Sequence, residues 1–517
     1  MAGEIGPSSG AVGNSVSDAD WEQAGGRREL ARGGGLSFVG SAASAALGFL
    51  LTVVFTRLLG AEGAGIVFQA TGVFAVILAF AKVGLDSTAV YWLPRVQLDD
   101  VGRIRSTITA FLLLSGFVSI LFALALYFFA PVLWTGEGNR VSDTVRALAV
   151  FVPAGSLMII AAAILRALGS VKEYVLVSNI AIPALRPPLA AVAAVATGSA
   201  LVVSVAWALP LALVLVVAAG MVAGHVKRLE DGTRGVLFPS RGQVRGILGF
   251  AAPRTASAGL EQAIIWVDVL LVGWLLSDQA AGVYGGAARF IQAGLIVDVA
   301  LRVVVSPRFS SLLHQGKKTD VRDLYVTATI WLVLVASPIY VLLAVFSPVF
   351  LGLLGPDFLQ GSDALTILAL GIMFTFLAGN IHSLLIMSGR SGWAAINKAV
   401  VLVINIVGNL LVVPVWGIEG AAAVWAVSML IDAALAVLEV WFFLGIRAPL
   451  WDILRPLVLV LVTFATPSLI IGVAWGRSLS GMLLAVIAGG VLFLVACWWR
   501  RNELYLNDLL VMFRSQG

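Results

Sequence analysis

The sequence predicts an all-α polytopic membrane protein with about 14 transmembrane helices, arranged as two six-helix lobes plus two C-terminal helices. Two observations carry this prediction. Hydrophobic residues make up 60% of the chain and charged residues only 12%. The apolar residues also occur in runs of about 20 or more, each long enough to cross roughly 30 Å of hydrocarbon as a helix. Hydrocarbon offers no water to backbone groups, so spanning runs of this length must be helical.

Apolar segments alternate with short polar connections along the whole chain. The first 33 residues are rich in Gly, Ser and Asp and predict a flexible cytoplasmic tail. The apolar run that follows is too long for a cleaved signal peptide. The predicted spans are 35–58, 65–92, 106–130, 145–167, 174–196, 200–224, 247–276, 282–305, 325–348, 362–388, 392–414, 419–445, 454–475 and 479–499.

The basic residues set the predicted orientation. Most of the 33 lysines and arginines lie in connections on one side of the predicted membrane. Cytoplasmic segments carry an excess of Lys and Arg, so we expect a multi-pass plasma-membrane protein with both termini in the cytoplasm. The opposite side receives at most Arg57, Arg140, Arg146 and Arg477.

The longest basic connection divides the predicted spans into two groups. Residues 58–66 and 275–283 resemble each other at equivalent helix junctions, which indicates a weak internal repeat. Parallel repeats of six spans are typical of transporters. The predicted units are a flexible tail at 1–33, a first lobe at 34–224, a basic linker at 225–246, a second lobe at 247–446, and two extra spans with a short tail at 447–517.

Charged and polar residues inside the predicted spans are the main functional signal, because a charge at the bilayer centre costs about 2.5–3.5 kcal/mol. Span seven carries a polar face about 21 Å long, formed by Arg254, Ser257, Glu261 and Asp268. Further polar positions in spans five, eight, ten, eleven and twelve are Asn179, Pro183 and Arg186; Arg289, Gln292, Asp298 and Arg302; Asn380 and His382; Lys398, Asn405 and Asn409; and Asp432 and Glu439.

Several spans carry cations, and we expect these spans to enclose an aqueous cavity that binds an anion. Phosphate is the preferred candidate, because arginine binds it through paired hydrogen bonds. The predicted substrate-binding cations are Arg57, Arg186, Arg254, Arg289 and Lys398. The predicted ion-coupling or polar cavity residues are Asn179, Glu261, Asp268, Asn405 and Asp432.

Other polar residues have structural explanations. Asp298 and Arg302 are four residues apart and predict an ion pair within one helix. Span one predicts a close-packing face of small residues, formed by Ser37, Ser41, Ser44 and Gly48.

Missing sequence features argue against other functions. The chain has no P-loop, so we expect no ATP hydrolysis. Its three histidines form no metal or Ser/His/Asp pattern, and the single Cys497 has no disulfide partner. The basic residues lie in short segments between spans, which argues against nucleic-acid binding. We therefore expect no enzyme activity, no metal, no cofactor and no nucleic-acid partner.

Five features of the sequence occur together: the runs 35–41, 56–65, 83–90 and 417–422, and the spacing of Asn179, Pro183 and Arg186. Together they resemble the polysaccharide-transporter (oligosaccharide flippase) branch of the multidrug/oligosaccharidyl-lipid/polysaccharide flippase superfamily. The resemblance implies alternating access around a cationic central cavity. It also implies a polyprenyl-pyrophosphate-linked oligosaccharide as cargo, flipped from the cytoplasmic to the outer leaflet for surface polysaccharide biosynthesis.

In such a flippase the cavity would hold the pyrophosphate and sugars while the lipid tail stays in the bilayer. Ion gradients drive family members, and the acidic candidates for coupling are Glu261, Asp268 and Asp432. The implied partners are the lipid-linked oligosaccharide, membrane lipids and other polysaccharide-assembly membrane proteins. We expect a monomer.

Three alternatives stay open at this point. The cargo could be a peptidoglycan or spore-wall lipid precursor. A drug or cation antiporter would have twelve spans and an acidic cavity, in contrast to the spans and arginines predicted here. A membrane glycan polymerase would present a long external loop, whereas the longest predicted external loop, about 131–144, is short.

Overall fold

The computed structural model describes residues 18–135, 139–168, 171–230, 236–447 and 449–506, with side chains from residue 39 onward. Within these ranges the chain forms helices and no β-strand. The α-helices are α1 Asp18–Ala81, α2 Leu85–Asp99, α3 Ile104–Leu133, α4 Arg140–Ala149, α5 Val152–Ala167, α6 Val171–Tyr174, α7 Ile182–Thr197, α8 Ala200–Leu229, α9 Arg241–Leu275, α10 Asp278–Gly294, α11 Ile296–His314, α12 Lys318–Val345, α13 Ser347–Gly352, α14 Ser362–Thr375, α15 Ile381–Met387, α16 Ser391–Leu444, α17 Leu450–Val460, α18 Thr466–Ala474 and α19 Leu479–Trp499. Short 3-10 helices lie at Val101–Arg103, Pro356–Gly361 and Phe376–Ala378, and π-helical turns lie at Val175–Ala181 and Leu461–Ala465.

The predicted all-helical membrane fold is confirmed. In the described ranges, 11 helices are long and apolar enough to cross a membrane, or 12 if the bent pair α4 and α5 forms one span. Two of the longest helical segments extend from Val39 to Asp99, with 61 residues, and from Ser391 to Leu444, with 54 residues. At 1.5 Å per residue the first would measure about 90 Å, roughly three times the hydrocarbon thickness.

Glycine breaks interrupt both of these long helices. Gly60 in α1 has φ 69° and ψ −174°, and Gly417 in α16 has φ 62° and ψ −144°. These backbone conformations favour glycine, because a Cβ atom disfavours positive φ. Reversal of the chain at both breaks would give the 14 spans predicted from the sequence, and that number stays a prediction.

Helix α1 begins inside the predicted tail. It starts at Asp18, within the segment 1–33 that the sequence predicts as a flexible cytoplasmic tail. Residues 1–17 lie outside the described ranges, and the tail as a unit stays a prediction. The segment contains Ala, Glu, Gln and Arg, which favour helix, between its glycines. Continuity with the first apolar helix outweighs the glycine content that predicted a flexible segment.

The apolar core divides into two clusters of buried side chains. One lies mainly between Ile66 and Ala251, and the other mainly between Val269 and Leu504. The second cluster also takes in side chains of α1 from Leu51 to Phe68, so both halves of the chain meet near the Gly60 break. The boundary at the 225–246 linker stays a prediction, and residues 231–235 of that linker lie outside the described ranges.

We call the end of the bundle at the α1 break the Gly60 end. The opposite end, where α2 ends and α9 begins, is called the Arg95 end. Between them, the second part of α1 and the start of α2 pack along α9. Glycines on both sides receive large groups from the other helix; a Cβ on Gly259, for example, would lie 2.2 Å from the Phe80 ring. This α1–α9 seam pairs Gln69 with Gly273, Trp266 with Gly72, Phe80 with Gly259, and Ala251 with Gly84.

A second close contact joins the two predicted repeat segments at the Gly60 end. A Cβ on Gly65 would lie 1.7 Å from the Asp278 carbonyl oxygen, and one on Gly282 would lie 1.9 Å from the Ala61 carbonyl oxygen. Each glycine thus meets the carbonyl four residues before its counterpart. Equivalent positions of the predicted repeat therefore make equivalent contacts.

Candidate functional site

The predicted polar face of α9 divides into an exposed and a buried part. Arg254, Ser257 and Glu261 are exposed, whereas Asp268 is only 3% exposed. A lipid-facing Arg and Glu would each lose hydration without a partner, so this part of α9 needs a wet neighbourhood. The exposed part of the face is the candidate wall of a polar path.

Arg289 is the predicted substrate cation on α10. Its guanidinium lies 4.6 Å from the centre of the Trp266 ring and 5.5 Å from that of Phe68, and it donates to Gln292 over 3.0 Å. No carboxylate pairs with it among the described side chains. Arg289 therefore keeps its positive charge available at the contact between the two halves of the chain.

Arg254 and Arg289 lie at different depths. Trp266, which contacts Arg289, follows Arg254 by twelve positions on α9, or about 18 Å along the helix axis. Arg254 lies close to Gly84 at the Arg95 end of the α1–α9 seam. Arg254 therefore lies at the Arg95 end, and Arg289 lies about 18 Å further along α9, beside a different face of that helix.

Two other predicted substrate cations have structural partners. Arg57 donates through Nε and Nη2 to the carbonyls of Leu353 and Gly352, each over 2.8 Å. These carbonyls end α13, so Arg57 caps that short helix at the Gly60 end. The structure does not bring it to the polar face of α9.

Arg186 lies in a different environment from Arg289. It stacks 4.1 Å from the Trp207 ring centre and donates to the Trp207 carbonyl over 3.1 Å. Trp207 in turn contacts Phe74, whereas Trp266 beside Arg289 covers Gly72. Positions 72 and 74 are about 200° apart around a helix, so α1 separates the two arginines.

Asp268 lies in a buried polar cluster with α16. Asn409 Nδ2 donates to Asp268 Oδ1 over 2.9 Å and to the backbone and side-chain oxygens of Asn405 over 2.8 and 3.0 Å. The Asn409 Oδ1 atom is buried and has no hydrogen-bond partner. The cluster holds the Asp268 carboxylate against an amide donor and leaves one amide oxygen unpaired. Carboxylate and amide oxygens are ligands that hard cations prefer.

Lys398 and Asp432 form an ion pair between the two parts of α16. Lys398 Nζ lies 2.5 Å from Asp432 Oδ2, and His382 Nε2 on α15 lies 3.1 Å from the same oxygen. Asn397 nearby donates to Glu439 over 2.8 Å. The Lys398 charge, predicted to hold substrate, is therefore matched by a carboxylate in this state.

Asn179 joins span five to span one. It lies in the π-helical turn before Pro183, and its Nδ2 donates to Ser41 Oγ over 3.4 Å. A Cβ on Gly40 would lie 2.6 Å from Val175, so Gly40 packs closely here, whereas nothing lies within 4 Å of the Cβ position of Gly48 in the predicted close-packing face. The predicted ion pair of Asp298 with Arg302 is also present, at 2.6 Å.

One cavity was not predicted from the sequence. It measures about 410 Å³ and lies between α2, α5 and the π-helical turn. Arg166, which the sequence marked only as a topological charge, lies 5.3 Å from the Tyr174 ring at this cavity. Its polar lining comprises Asp86, Ser87, Arg166, Tyr174 and Ser178. In the described part of the chain no group of three His, Cys, Asp or Glu side chains is arranged for a metal.

Sequence comparisons find two matching families. The family described as "Polysaccharide biosynthesis protein" matches residues 30–313, and the MatE family matches residues 255–411. The probable low-salt glycan biosynthesis flippase Agl15 of Haloferax volcanii is 23% identical over 229 residues, 43% of this chain and 48% of that protein. The chain thus matches about half the length of this curated relative.

Solved structures resemble the fold. The lipid II flippase MurJ in an inward closed conformation superposes with a TM-score of 0.71, 14% identity, and coverage of 90% of this chain and 99% of that chain. An inward-facing multidrug resistance MATE transporter of the MOP superfamily superposes with a TM-score of 0.61 and 15% identity. The superposition covers 78% of this chain and 94% of that chain. At these identities the likeness concerns the fold alone.

Proposed function

The chain belongs to the polysaccharide biosynthesis protein family, in the polysaccharide-transporter branch of the MOP flippase superfamily, and from that premise we propose that it flips a polyprenyl-pyrophosphate-linked oligosaccharide from the cytoplasmic to the outer leaflet. The observation that carries this proposal is Arg289, which lies deep between the two halves of the chain with aromatic neighbours and no paired carboxylate among the described residues. Arginine binds carboxylates and phosphates through paired hydrogen bonds, and the pyrophosphate of the proposed cargo is an anion of this kind. The name of the Haloferax relative, a probable glycan biosynthesis flippase, supports the same class of cargo.

The proposed path runs from Arg254 at the Arg95 end to Arg289, which lies beside Trp266 further along α9. The headgroup would exchange water for these guanidiniums and for Ser257 and Glu261, which can bond to sugar hydroxyls. One contact joins the two halves at the Gly60 end in this state: Gln69 donates to Asp278 over 2.7 Å. Alternating access would require this contact to open after the Arg95 end has closed.

The proposed orientation places the Arg95 end in the cytoplasm and the Gly60 end outside, in a plasma membrane. The excess of basic residues at the connections of the Arg95 end supports it. We also propose a monomer that works beside other polysaccharide-assembly membrane proteins.

Asp268 is the proposed coupling site for the driving ion. It is buried, and it accepts a hydrogen bond from Asn409 across the contact of α9 with α16. Binding of a proton or a hard cation there would change the charge of a carboxylate at the contact between these two helices. Glu261 is exposed and Asp432 is already paired, so both are weaker candidates.

The test is flipping by the purified full-length chain in liposomes. A labelled polyprenyl-pyrophosphate oligosaccharide is inserted, and a membrane-impermeant reagent measures how much of it reaches the opposite leaflet. We expect Arg289→Gln to slow flipping by at least tenfold and Arg289→Lys to recover part of the rate, because lysine keeps the charge and loses the paired hydrogen bonds.

Arg477→Gln is the matched control, because Arg477 is exposed in the connection between α18 and α19. Normal flipping by Arg289→Gln would contradict the proposed site. Flipping of lipid II in preference to the oligosaccharide would favour the peptidoglycan-precursor alternative, and lengthening of the glycan during the assay would favour a polymerase.

A further inference from the structure

One short pattern occurs twice in the chain: an aromatic residue, two apolar residues, then Pro-Arg. The copies are Tyr91–Arg95 in α2 and Phe250–Arg254 in α9. In each copy the arginine folds back over the aromatic ring one helical turn earlier. Arg95 lies 3.6 Å from the Tyr91 ring centre, and Arg254 lies 3.6 Å from the Phe250 ring centre.

The two copies meet ring to ring between the halves of the chain. Tyr91 and Phe250 stack with their centres 4.2 Å apart and their planes 24° apart. One face of each ring is covered by the partner ring. Each guanidinium therefore lies on the outer face of the ring that belongs to its own helix. Arg95, Tyr91, Phe250 and Arg254 therefore form one four-membered stack, which we call the Arg95–Arg254 stack. It lies at the Arg95 end of the α1–α9 seam.

Each guanidinium of the stack bonds to the backbone carbonyl of its own aromatic residue. Arg95 donates to the Tyr91 carbonyl over 2.5 Å, and Arg254 donates to the Phe250 carbonyl over 2.7 Å. Both carbonyls also belong to their own helices. Neither arginine pairs with a carboxylate in the described part of the chain, and both are exposed. An exposed cation–π contact contributes only about 0.5–1 kcal/mol, so a phosphate, which forms paired charge-assisted hydrogen bonds, can displace the ring.

We propose that Arg95 and Arg254 form the first binding site for the phosphate groups of the cargo, and that the aromatic stack is its resting form. The inference rests on the proposed function and adds Arg95, a cation outside the predicted site. A phosphate that forms paired hydrogen bonds with either guanidinium competes with the ring and the backbone carbonyl that this guanidinium contacts at rest. Its binding therefore draws at least one arginine off its ring and leaves one outer face of the Tyr91–Phe250 stack uncovered.

Proline makes this movement local. Pro94 and Pro253 remove one backbone hydrogen bond each from α2 and α9, at the residue before each arginine. The helix turn that carries each guanidinium is therefore easier to bend than an uninterrupted turn. Arrival of a phosphate can shift these turns without unfolding the helices.

Titration of the full-length chain in nanodiscs of zwitterionic lipid tests this site. The probes are a polyprenyl diphosphate, inorganic pyrophosphate and phosphatidylglycerol, each added separately. We expect Arg95→Gln and Arg254→Gln to weaken polyprenyl diphosphate binding by roughly tenfold each, and Arg95→Lys to weaken it less. The matched control is Arg308→Gln, since Arg308 also follows a proline, in α11, and is exposed.

The aromatic residues provide a second readout. Phe250→Leu removes the resting partner of Arg254, so we expect polyprenyl diphosphate to bind with equal or higher affinity. A loss of affinity as large as that of Arg254→Gln would overturn the resting stack. Thermal unfolding of each variant checks that the chain remains folded.

The remaining outcomes separate this site from the proposed function. Unchanged diphosphate binding by Arg95→Gln and Arg254→Gln would overturn the site, and a flipping defect of Arg289→Gln alone would leave the function standing. Loss of binding in both variants with no flipping of any lipid-linked sugar would keep the site and overturn the function. Equal affinity for phosphatidylglycerol would show that membrane lipid, and not cargo, occupies the stack.

Discussion

Gly65 and Gly282 fit against each other's helix so closely that neither position has room for a side chain. Each lies over the backbone carbonyl four residues before the other, Asp278 for Gly65 and Ala61 for Gly282. The contact joins the two halves of the chain at the Gly60 end. It is nearly symmetric, as expected for equivalent positions of a duplicated unit.

We expect Gly282→Ala to destabilise this closed arrangement. The added methyl group would lie 1.9 Å from a backbone oxygen, and overpacking of this kind costs about 1–3 kcal/mol or more. Thermal unfolding in detergent should show a lower midpoint, and flipping should slow. Gly220→Ala in α8 is the control, because nothing lies within 4 Å of its Cβ position. Equal midpoints for the two variants would contradict the packing interpretation.

Asp268 should determine whether flipping responds to an ion gradient. Asp268→Asn keeps the shape of the side chain but removes its charge, so we expect the basal rate to remain and the stimulation by a proton or sodium gradient to disappear. Liposomes with an imposed gradient of each ion measure this stimulation. Asp298→Asn is a comparison on α11, where the lost carboxylate pairs with Arg302 along one helix. Retained stimulation in Asp268→Asn would exclude the site.

The pair of Lys398 with Asp432 should stabilise the fold of α16. Asp432 is 3% exposed, and removal of one partner from a buried pair costs about 3–5 kcal/mol. We expect Lys398→Met to lower the free energy of unfolding by an amount at or below the lower end of that range. The loss is limited because His382 remains beside the carboxylate. The double variant Lys398→Met/Asp432→Leu should recover most of the loss in thermal unfolding. A double variant less stable than Lys398→Met would contradict this account.

The number of membrane crossings can be measured by cysteine labelling. Cys497 is the only cysteine, so Cys497→Ser gives a background without thiols. In this background we expect Glu62→Cys and Glu419→Cys, beside the breaks at Gly60 and Gly417, to react with an external impermeant maleimide. Lys318→Cys should react only after permeabilisation. Protection of Glu419→Cys from the external reagent would contradict fourteen spans.

The sequence predicted the helical fold well because a membrane span is a local property of about 20 consecutive residues. Pairing between distant residues is not local. The sequence pattern placed Asp268 on the same helix face as Arg254. Its hydrogen bond with Asn409, 141 positions away, makes it part of a buried cluster instead. Arg57 likewise donates to two backbone carbonyls, and no pattern of side chains in the sequence predicts such a contact.

One part of the candidate site has a pattern in the sequence that our predictions did not include. The repeated pattern at Tyr91–Arg95 and Phe250–Arg254 is visible in the printed chain. Its meaning depended on the two copies meeting ring to ring, which the sequence does not show. The pairing of Arg186 with Trp207 on the far side of α1 is a similar case, since only packing places that tryptophan over the cation.

The α1–α9 seam has a consequence for any cargo that is anchored in lipid. The seam runs from Gln69 at the Gly60 end to Gly84 near the Arg95 end, with glycines filled by side chains along its length. Such close packing leaves no gap at these four positions for an isoprenoid chain. A lipid-anchored cargo of the proposed kind would therefore keep its isoprenoid chain away from the α1–α9 seam in this state.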